Sequence, residues 1–586
     1  MLEAIPIEIL APNDILIWDG TCGTGTILMA ALERLRHVVE HTTTEKMGKY
    51  LASVIRGNDR QGLQVDSTRL ALDYTLGRLQ GESWQITSYD ITQIKPDKLL
   101  GNRRPTVIVS NPPFEGLKKQ GEYAARVLNA YLDLLEPGSL ISVIIPRSLR
   151  GAAGTKEKTL RARLHEALEI FEVIELPVNA FPGAEVEADI LAGRVRYAHQ
   201  KHFGVLAWRT FASDTQEKSN GIQVIGNDDV WRTSDHGLRS PLLAKLESQL
   251  ASNPFLSTYL GPTKPKFKRR YIQGITPGKA AREGGDILDA PEPATAPYLE
   301  GREDMAPFFV RWELNKKWIR YHSPLIQWPR SQHEWLFKSD KLLLSRHKTV
   351  GYSWTIRAAV DREGIYPSDQ FIVLSPTPDC PFSLEQLSGL YNSALINLWL
   401  RESHGGLILL QDRIVSIPLP DWQRNEEPLK RIETISHALS ILMKAVATKA
   451  AFRTTSLSFE KILQGLNGKI NGEYDEFISG ASDLASMQRL AAMLFRELDR
   501  QVFKAYRLPY ELTNGIASYF LHAKDKRPGF GEWSESVVYK PLREEADTPP
   551  IFTENDNRRI QHLLEKQSAA LLSQEEEREL EKLVSF

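Results

Sequence analysis

Cysteine is nearly absent: 586 residues hold only Cys22 and Cys380, too few for a disulfide framework or a four-thiolate zinc site. That scarcity reads as a reduced, intracellular chain, and a cytoplasmic protein is expected. Long apolar runs are also missing. The longest, such as Leu140 to Pro146, fall far short of the roughly 18 residues that span a bilayer, so no membrane is expected among its partners. The first residues lack the basic-then-apolar pattern of a secretory signal. Nor is charge of either sign in excess. The 73 Lys and Arg balance 74 Asp and Glu, a formal net charge of −1, so any basic surface must be local. Internal repeats, low-complexity tracts and His-rich metal motifs are absent, and no metal is expected. What remains is an ordinary globular composition, 42% hydrophobic and 25% charged, long enough for two to four domains of about 150 residues.

Residues 1 to about 200 alternate short apolar runs with helical patterns. Strands are predicted at Ile15 to Trp18, Ser53 to Gly57, Gln85 to Ser88, Val107 to Ser110, Leu140 to Ile145, Phe171 to Leu176 and Ile190 to Val195. Amphipathic stretches such as Thr26 to Arg36 and Gly121 to Leu135 lie between them, and that alternation implies a parallel α/β sheet. From about 203, Trp, Tyr, Phe, Pro and Gly become frequent. Lys341 to Arg346 and Gln370 to Leu374 read as strands of a β-rich or mixed domain, and residues 282–307 as a long loop within it. Beyond Pro420 the pattern is helical, clearest over Arg431 to Ala450, Ser486 to Tyr506 and Ile560 to Val584. The expected divisions are therefore 1–202, 203–425 and 426–586. Residues 544–586 carry 11 acids against 5 bases, which reads as a solvated helical face rather than a partner-binding tail.

The first strand runs into Asp19-Gly20-Thr21-Cys22-Gly23-Thr24-Gly25 and then a helix. Glycines at such a turn let a ligand approach the backbone, and the helix N-terminus favours an anionic group. The pattern suits a nucleotide-like cofactor at the carboxyl edge of a sheet, although a bland tight turn looks the same. No Lys follows the last glycine, so it is not a P-loop. The second strand ends in Gly57-Asn58-Asp59, where an acid can accept both ribose hydroxyls of an adenosine; a helix cap is the competing reading. At the third strand end, Asp90-Ile91 is placed to accept from an adenine amine and to pack on its ring.

The sharpest signal is Val107-Ile108-Val109-Ser110-Asn111-Pro112-Pro113-Phe114. Two prolines remove two donors and fix φ, leaving carbonyls in set directions beside an amide. A planar, amine-bearing base would fit. The Asn111 side-chain oxygen and the Pro112 carbonyl would accept its two N–H bonds while Phe114 stacks on its face; an apolar turn with a core Phe is the alternative.

The ordered set D-G-T-C-G-T-G, G-N-D, Y-D-I and N-P-P-F resembles the S-adenosylmethionine-dependent adenine-N6 DNA methyltransferases of the gamma arrangement. Gly20 and Thr24 depart mildly from that family's D-P-x-C-G-S-G. The resemblance continues through Leu135-Glu136-Pro137-Gly138 and Leu176-Pro177-Val178-Asn179-Ala180-Phe181-Pro182-Gly183, and covers roughly the first 200 residues. It implies a doubly wound, Rossmann-like methyltransferase sheet at 1–202, a mixed α/β target-recognition domain at 203–425 and a helical C-terminal region. It also implies S-adenosyl-L-methionine as cofactor, held by Asp19, Thr21, Gly23, Gly25, Asp59, Asp90 and Ile91. Asn111, Pro112, Pro113 and Phe114 would be catalytic, with Phe181 the second stacking partner for a flipped base. Double-stranded DNA is the implied partner, in a restriction-modification or phage-defence system.

More loosely, Tyr271 to Thr276, Tyr298 to Gly301, Asn392-Ser393, Ile417 to Pro420 and the stretch from Glu497 to Leu508 resemble landmarks of fused target-recognition domains and their closing helix. Charge supports a nucleic-acid surface there. From Lys264 to Arg357 there are 18 Lys and Arg against 10 Asp and Glu, interleaved with aromatics that include Trp312, Trp318, Tyr321, Trp328, Trp335 and Trp354. The densest part supplies Lys264, Lys266, Lys268, Arg269 and Arg270 as candidate phosphate contacts; a solvated basic loop is the alternative.

Family members usually carry a cofactor-binding segment upstream of the first motif, whereas only 18 residues precede Asp19. Met1 to Asp14 is expected at most to extend the sheet edge. The expectation is therefore a start truncated in this chain, a partner subunit that completes that side, or loss of cofactor binding. No nuclease cluster of the P-D…E-x-K kind is present. Other readings stay open: methylation of an RNA base or a glutamine side chain, or a non-catalytic DNA-recognition subunit of a defence complex.

Overall fold

The computed structural model describes residues 1–38, 44–77, 83–94, 100, 103–113, 120–151, 155–177, 180–181, 187–197, 205–211, 219–226, 229–232, 234–261, 269–301, 304–314, 316–326, 333–347, 354–403, 409, 411–451, 484–522 and scattered positions from 559 to 580. Phe114, Lys264, Lys266, Lys268 and Trp328 lie outside the described residues. The chain divides into two compact units, Met1–Ala244 with Pro549–Phe586, and Lys245–Thr548.

The first unit is built on a nine-stranded sheet. In chain order its strands are β1 (Ile17–Asp19), β2 (Ile55–Asp59), β3 (Gln85–Ser88), β4 (Val107–Ser110), β5 (Leu140–Pro146), β6 (Leu168–Glu175), β7 (Ala188–Val195), β8 (Val205–Phe211) and β9 (Ser219–Gly226). Their order across the sheet is β3-β2-β1-β4-β5-β7-β6-β8-β9. β4 and β5 are buried along their whole length, as continuous branched apolar runs require when both faces are covered. Helices α1 (Thr26–Val38), α2 (Thr44–Val54), α3 (Gly62–Leu76), α4 (Gln120–Leu134) and α5 (Thr155–Ala167) alternate with the strands. On α1 the residues Leu28, Ala31, Leu32 and Leu35 share one stripe and are buried to 0% exposure, which is why this segment docks as a helix. Trp18, Tyr131, Val143 and Leu191 belong to one core cluster, and Leu28, Val65, Val107 and Val109 to another.

The sheet is mainly parallel, as expected, with two strands reversed. β7 runs antiparallel to both β5 and β6, and β9 antiparallel to β8. β6 and β7 are consecutive in the chain and adjacent in the sheet, so the chain simply reverses, where a parallel return would need a crossover. The sheet also runs past residue 202, since β8 pairs with β6. The N-terminal segment does not extend the sheet edge. Two 3-10 turns, Leu2–Ala4 and Ile7–Ile9, lay Ile5 and Ile7 into the core beside Leu28 and Val109. Ser142 Oγ of β5 donates to the Met1 carbonyl at 2.9 Å, so burial of two isoleucines wins over edge pairing.

The helix expected over Ile560 to Val584 falls partly outside the described residues, and the described positions from 559 to 580 do not lie on one continuous helix. Arg559 pairs with Glu579 at 2.6 Å and Lys566 with Glu576 at 2.6 Å, whereas one helix would hold residues 20 apart at about 30 Å. A new turn starts at Ser573, whose hydroxyl accepts from Glu576 N at 3.3 Å while the Glu576 carboxylate accepts from Ser573 N at 3.1 Å.

The second unit contains a four-stranded antiparallel sheet ordered Tyr271–Gln273, Phe371–Leu374, Lys341–Ser345, Ala358–Asp361. A mixed sheet is ordered Ile287–Leu288, Lys317–Ile319, Ala296–Leu299, Tyr366–Pro367. The stretch 282–307, expected as loop, thus supplies strands: short segments that look irregular locally are stabilised by pairing with Lys317–Ile319. Helices Glu426–Ala451 and Leu484–Ala505 pack on each other. The sequence landmarks are structural here. The Asn392 side-chain amide donates to Ala358 O at 2.8 Å and its oxygen accepts from Ala358 N at 3.0 Å. Asp499 Oδ1 accepts from Ala394 N at 2.8 Å, and Tyr506 OH donates to Pro418 O at 2.7 Å. Gly274 is required by space, because a Cβ there would lie 2.1 Å from Ser368 O.

Candidate functional site

β1 and β4 are neighbours whose chain connections leave in opposite directions across the sheet. A crevice opens outside the carboxyl ends at such a point. Asp19 ends β1 and Asn111 follows β4, so the two sharpest sequence motifs meet at this switch point.

The glycine turn is shaped as its composition predicts. Gly23 and Gly25 have φ of +54° and +86°, conformations that cost other residues strain. A Cβ on Gly23 would meet nothing within 4 Å, so the backbone there faces open space, whereas one on Gly25 would strike Thr68 Cγ2 at 2.8 Å. Gly23 N donates to Asp59 Oδ2 at 3.0 Å, and Gln61 N donates to Asp59 Oδ1 at 2.9 Å. Each carboxylate oxygen keeps a second lone pair, so Asp59 can still receive two hydroxyls. Asp90 caps its own turn through Thr92 N at 2.9 Å and Gln93 Nε2 at 3.0 Å. Ile91 is buried and lies against Gly20, where a Cβ would fall 2.7 Å from Ile91 Cδ1.

Asn58 carries no role in the sequence expectations, yet it braces the site. Its amide nitrogen donates to Gly20 O and Tyr89 O, both at 3.0 Å, while its oxygen accepts from Thr87 Oγ1 at 3.0 Å and Tyr89 N at 3.1 Å. One buried side chain thus ties together the ends of β1, β2 and β3. The clue was an amide, both donor and acceptor, between a glycine and an acid at a strand end.

Beneath the site lies a buried hydroxyl cluster. Asp19 Oδ1 accepts from Thr21 N at 3.0 Å and from Ser110 Oγ at 2.7 Å. Ser110 Oγ is also 2.8 Å from Thr21 Oγ1 and 2.6 Å from Tyr131 OH. Burial pushes the Asp19 carboxyl up to about 7, against the pull of Ser110 and Thr21, with Asp59 adding to the rise. Burial likewise pushes the Cys22 thiol up to about 12, so it is no nucleophile at neutral pH. Ser110 and Tyr131 were not expected from sequence; their contacts join residues 91 and 21 positions apart.

Asn111 is half-buried, Pro112 buried and Pro113 exposed. Asn111 Oδ1 is buried without a hydrogen-bond partner among the described residues. Such an acceptor is costly unless something supplies a donor. Phe181 is half-buried and packs with Leu176 against Ile144, Ile174, Ala188 and Ile190. Of the basic cluster, Arg269 stacks over the Tyr271 ring at 5.4 Å and Arg270 over Trp335 at 5.4 Å. Arg270 Nη1 also donates to Pro376 O at 2.9 Å and Ser375 O at 3.4 Å, so its guanidinium is engaged by its own fold. No group of three or more His, Cys, Asp or Glu among the described residues could hold a metal, and no helix among them is long and apolar enough to cross a membrane.

No protein-family model matches the chain, and no curated protein matches it in sequence. Solved structures do. The Type IIL restriction-modification enzyme MmeI in complex with DNA superposes with a TM-score of 0.51 at 12% identity, over 91% of this chain and 74% of that one. The first sheet is doubly wound and Rossmann-like, and the chain shares its fold with that restriction-modification enzyme. A nuclease-deletion mutant of the Type ISP enzyme LlaGI with a DNA substrate mimic matches at a TM-score of 0.47 and 10% identity, over 73% of this chain and 44% of that one. The Type ISP enzyme LlaBIII bound to DNA matches at 0.39 and 12%, over 73% and 37%. The chain therefore spans under half the length of both Type ISP enzymes.

Proposed function

We propose that this chain is a site-specific DNA methyltransferase of a restriction-modification or phage-defence system, acting on adenine N6. The unpartnered, buried Asn111 Oδ1 beside the switch-point crevice carries this reading. S-adenosyl-L-methionine, when bound, supplies an electrophilic methyl on a sulfonium sulfur. The open space over Gly23 and the remaining lone pairs of Asp59 suit its adenosine part, whereas Ile91 is packed in the core against Gly20. Asp19, with no hydrogen bond on Oδ2 among the described residues, suits its cationic part.

An adenine amine is a poor nucleophile because its lone pair is delocalised into the ring. Asn111 Oδ1 and the Pro112 carbonyl accept its two N–H bonds, draw the nitrogen toward a tetrahedral geometry and aim the pair at the methyl, which is catalysis by positioning and electrostatics. Asn111 takes no proton; the proton made acidic by methylation leaves to water. The base must first leave the duplex, at a cost of a few kcal/mol, for a slot between Phe114 and Phe181. Because β8 and β9 belong to the first sheet, the target-recognition part is proposed to start near Lys245 rather than at 203 and to run to about 425, with Lys264, Lys266, Lys268 and Arg269 on DNA phosphates, and a helical region follows from 426.

The deciding experiment maps N6-methyladenine in DNA from cells expressing the chain or its Asn111→Ala variant. Site-specific modification that vanishes in the variant is expected, with single-turnover rate down on the order of 100-fold and DNA affinity kept. Modification unchanged by Asn111→Ala removes the assignment. Absence of cofactor binding in calorimetry would favour a DNA-recognition subunit, and preference for an RNA duplex an RNA methyltransferase.

A further inference from the structure

A second charged cluster is buried at the same edge of the sheet, and the mechanism above does not use it. Asp189, the second residue of β7, is fully buried and gripped by two arginines from the turn after β5. Arg150 binds it in fork geometry, Nε to Oδ2 at 2.7 Å and Nη2 to Oδ1 at 2.7 Å, and Arg147 Nε reaches Oδ1 at 3.1 Å. The register sets Ile145 and Glu175 opposite Asp189, so the cluster sits over the carboxyl ends of β5 and β6, on the edge from which β4 delivers Asn111. Arg150 also pairs with Glu175 at 3.0 Å and lies 4.7 Å over the Trp208 ring, whose Nε1 donates to Glu175 at 3.0 Å. Burial alone would raise the Glu175 carboxyl, but Arg150 and Arg147 hold it below its ordinary range.

Buried ion clusters often add nothing to stability compared with apolar side chains of similar volume; what they can supply is a unique arrangement. Here the arrangement fixes backbone. Arg147 Nη2 donates to Leu176 O at 3.3 Å, its backbone N donates to Glu187 O at 2.9 Å, and its Nη1 lies 3.9 Å from the Glu187 carboxylate. Leu176 and Glu187 are where the segment bearing Phe181 leaves β6 and enters β7. Phe181, Leu176 and Ala4 each pack against the cluster of Ile144, Ile174, Ala188 and Ile190, and Ala4 also packs against the core cluster that holds Val109, two residues before Asn111.

We propose that Arg147, held by Asp189, is a positioning residue for the target-base slot: by pinning both anchor points of the Phe181 segment it sets where Phe181 stands relative to Asn111. The proposal rests on the reading of Asn111 as the base-binding residue.

The test uses the full chain and a duplex carrying the mapped site, with 2-aminopurine replacing the target adenine to report flipping. Wild type, Arg147→Gln, Phe181→Ala and the double variant are compared in single-turnover methylation of the adenine duplex. Arg147→Gln is expected to lower the rate about 30-fold and to suppress the 2-aminopurine signal, with affinities for DNA and S-adenosylmethionine within about twofold of wild type. In the Phe181→Ala background it should add little, since interacting residues are not additive. Arg147→Lys keeps the charge but cannot reach Asp189, Leu176 O and Glu187 at once, so it should fail to restore the rate; it also replaces Arg147→Gln if that protein is insoluble. Wild-type flipping and turnover in folded Arg147 variants, or full additivity with Phe181→Ala, would overturn the proposal. If wild type itself neither flips nor methylates, or if Asn111→Ala is fully active, the base-slot reading fails instead.

Discussion

Ser110 Oγ stands 2.7 Å from Asp19 Oδ1, so the residue before Asn111 is bonded to the carboxylate that ends the first strand. A serine hydroxyl has one proton. With Asp19 ionised, Ser110 gives that proton to the carboxylate and must accept from Tyr131, 2.6 Å away, and Thr21, 2.8 Å away. The charge on Asp19 thereby orients the hydroxyls of Ser110, Tyr131 and Thr21 between the proposed cofactor turn and the proposed base site.

Tyr131→Phe deletes one donor onto Ser110 while keeping the ring that meets Trp18 edge-on at 5.6 Å. A stability loss of about 1 kcal/mol is expected, because one buried neutral hydrogen bond disappears. The methylation rate should fall about tenfold with little change in cofactor affinity, since loosening acts on the strand end that carries Asn111. Chemical denaturation and single-turnover assays measure the two effects separately. A folded variant with undiminished rate would confine the cluster to stability.

Asp19 predicts a pH signature with two opposite signs. Its carboxyl is pushed up to about 7 in the folded protein and titrates near 3.9 when unfolded. Stability from this group is therefore complete below about pH 4 and is lost as pH rises through about 7. Asp19→Asn removes that loss, so the variant's melting temperature relative to wild type should climb between pH 5 and pH 8. Cofactor binding should respond the other way, because a cationic ligand needs the ionised carboxylate. Wild-type affinity for S-adenosylmethionine should weaken toward tenfold per pH unit below 7, and the dependence should be gone in Asp19→Asn. Flat wild-type affinity from pH 5.5 to 8.5 would take Asp19 out of the site.

Much of this site is legible in sequence because its motifs are local. The glycines of the first turn, the acid after the second strand and the two prolines after the fourth each declare a backbone requirement within a few residues. Asn58, Ser110 and Tyr131 were not legible, because their roles arise only when parallel register brings distant strand ends together. The sheet's continuation through β8 and β9 was obscured for a related reason. Those strands pair as an antiparallel ribbon, and their composition matches that of the β-rich region that follows. The Ser573 capping box was local and readable, and it marks where the C-terminal helical pattern breaks.

Asp59→Ala should weaken S-adenosylmethionine binding by roughly 2 kcal/mol, about 30-fold, through loss of charge-assisted bonds to the ribose. The structure adds a second consequence, since Gly23 N and Gln61 N both lose their acceptor. Asp59→Asn keeps an acceptor for one amide only and should fall between the two. Calorimetric titration checks the order. Equal affinities for all three proteins would place the ribose elsewhere.

One guanidinium of the basic cluster is held by its own fold. Arg270 is tied to Ser375 O and Pro376 O, its backbone N donates to Leu260 O, and its guanidinium lies over Trp335. Arg270→Ala should therefore lower stability by about 1–2 kcal/mol, as expected for losing hydrogen bonds to a charged group, and leave the salt dependence of DNA binding nearly unchanged. Changing Lys266, Lys268 and Arg269 together to Ala should instead reduce that salt dependence. Each released phosphate contact contributes about −0.9 to the slope of log affinity against log salt, so the triple variant's slope should be shallower by up to about 2.7. Preference for the mapped site should survive, because phosphate contacts fix register while base edges carry sequence. Fluorescence anisotropy between 50 and 200 mM salt, with thermal melts of the same proteins, reads both effects. A triple variant with unaltered slope would move Lys266, Lys268 and Arg269 off the DNA backbone. An Arg270→Ala protein of unchanged stability whose slope shifts by about 0.9 would instead put that guanidinium on a phosphate.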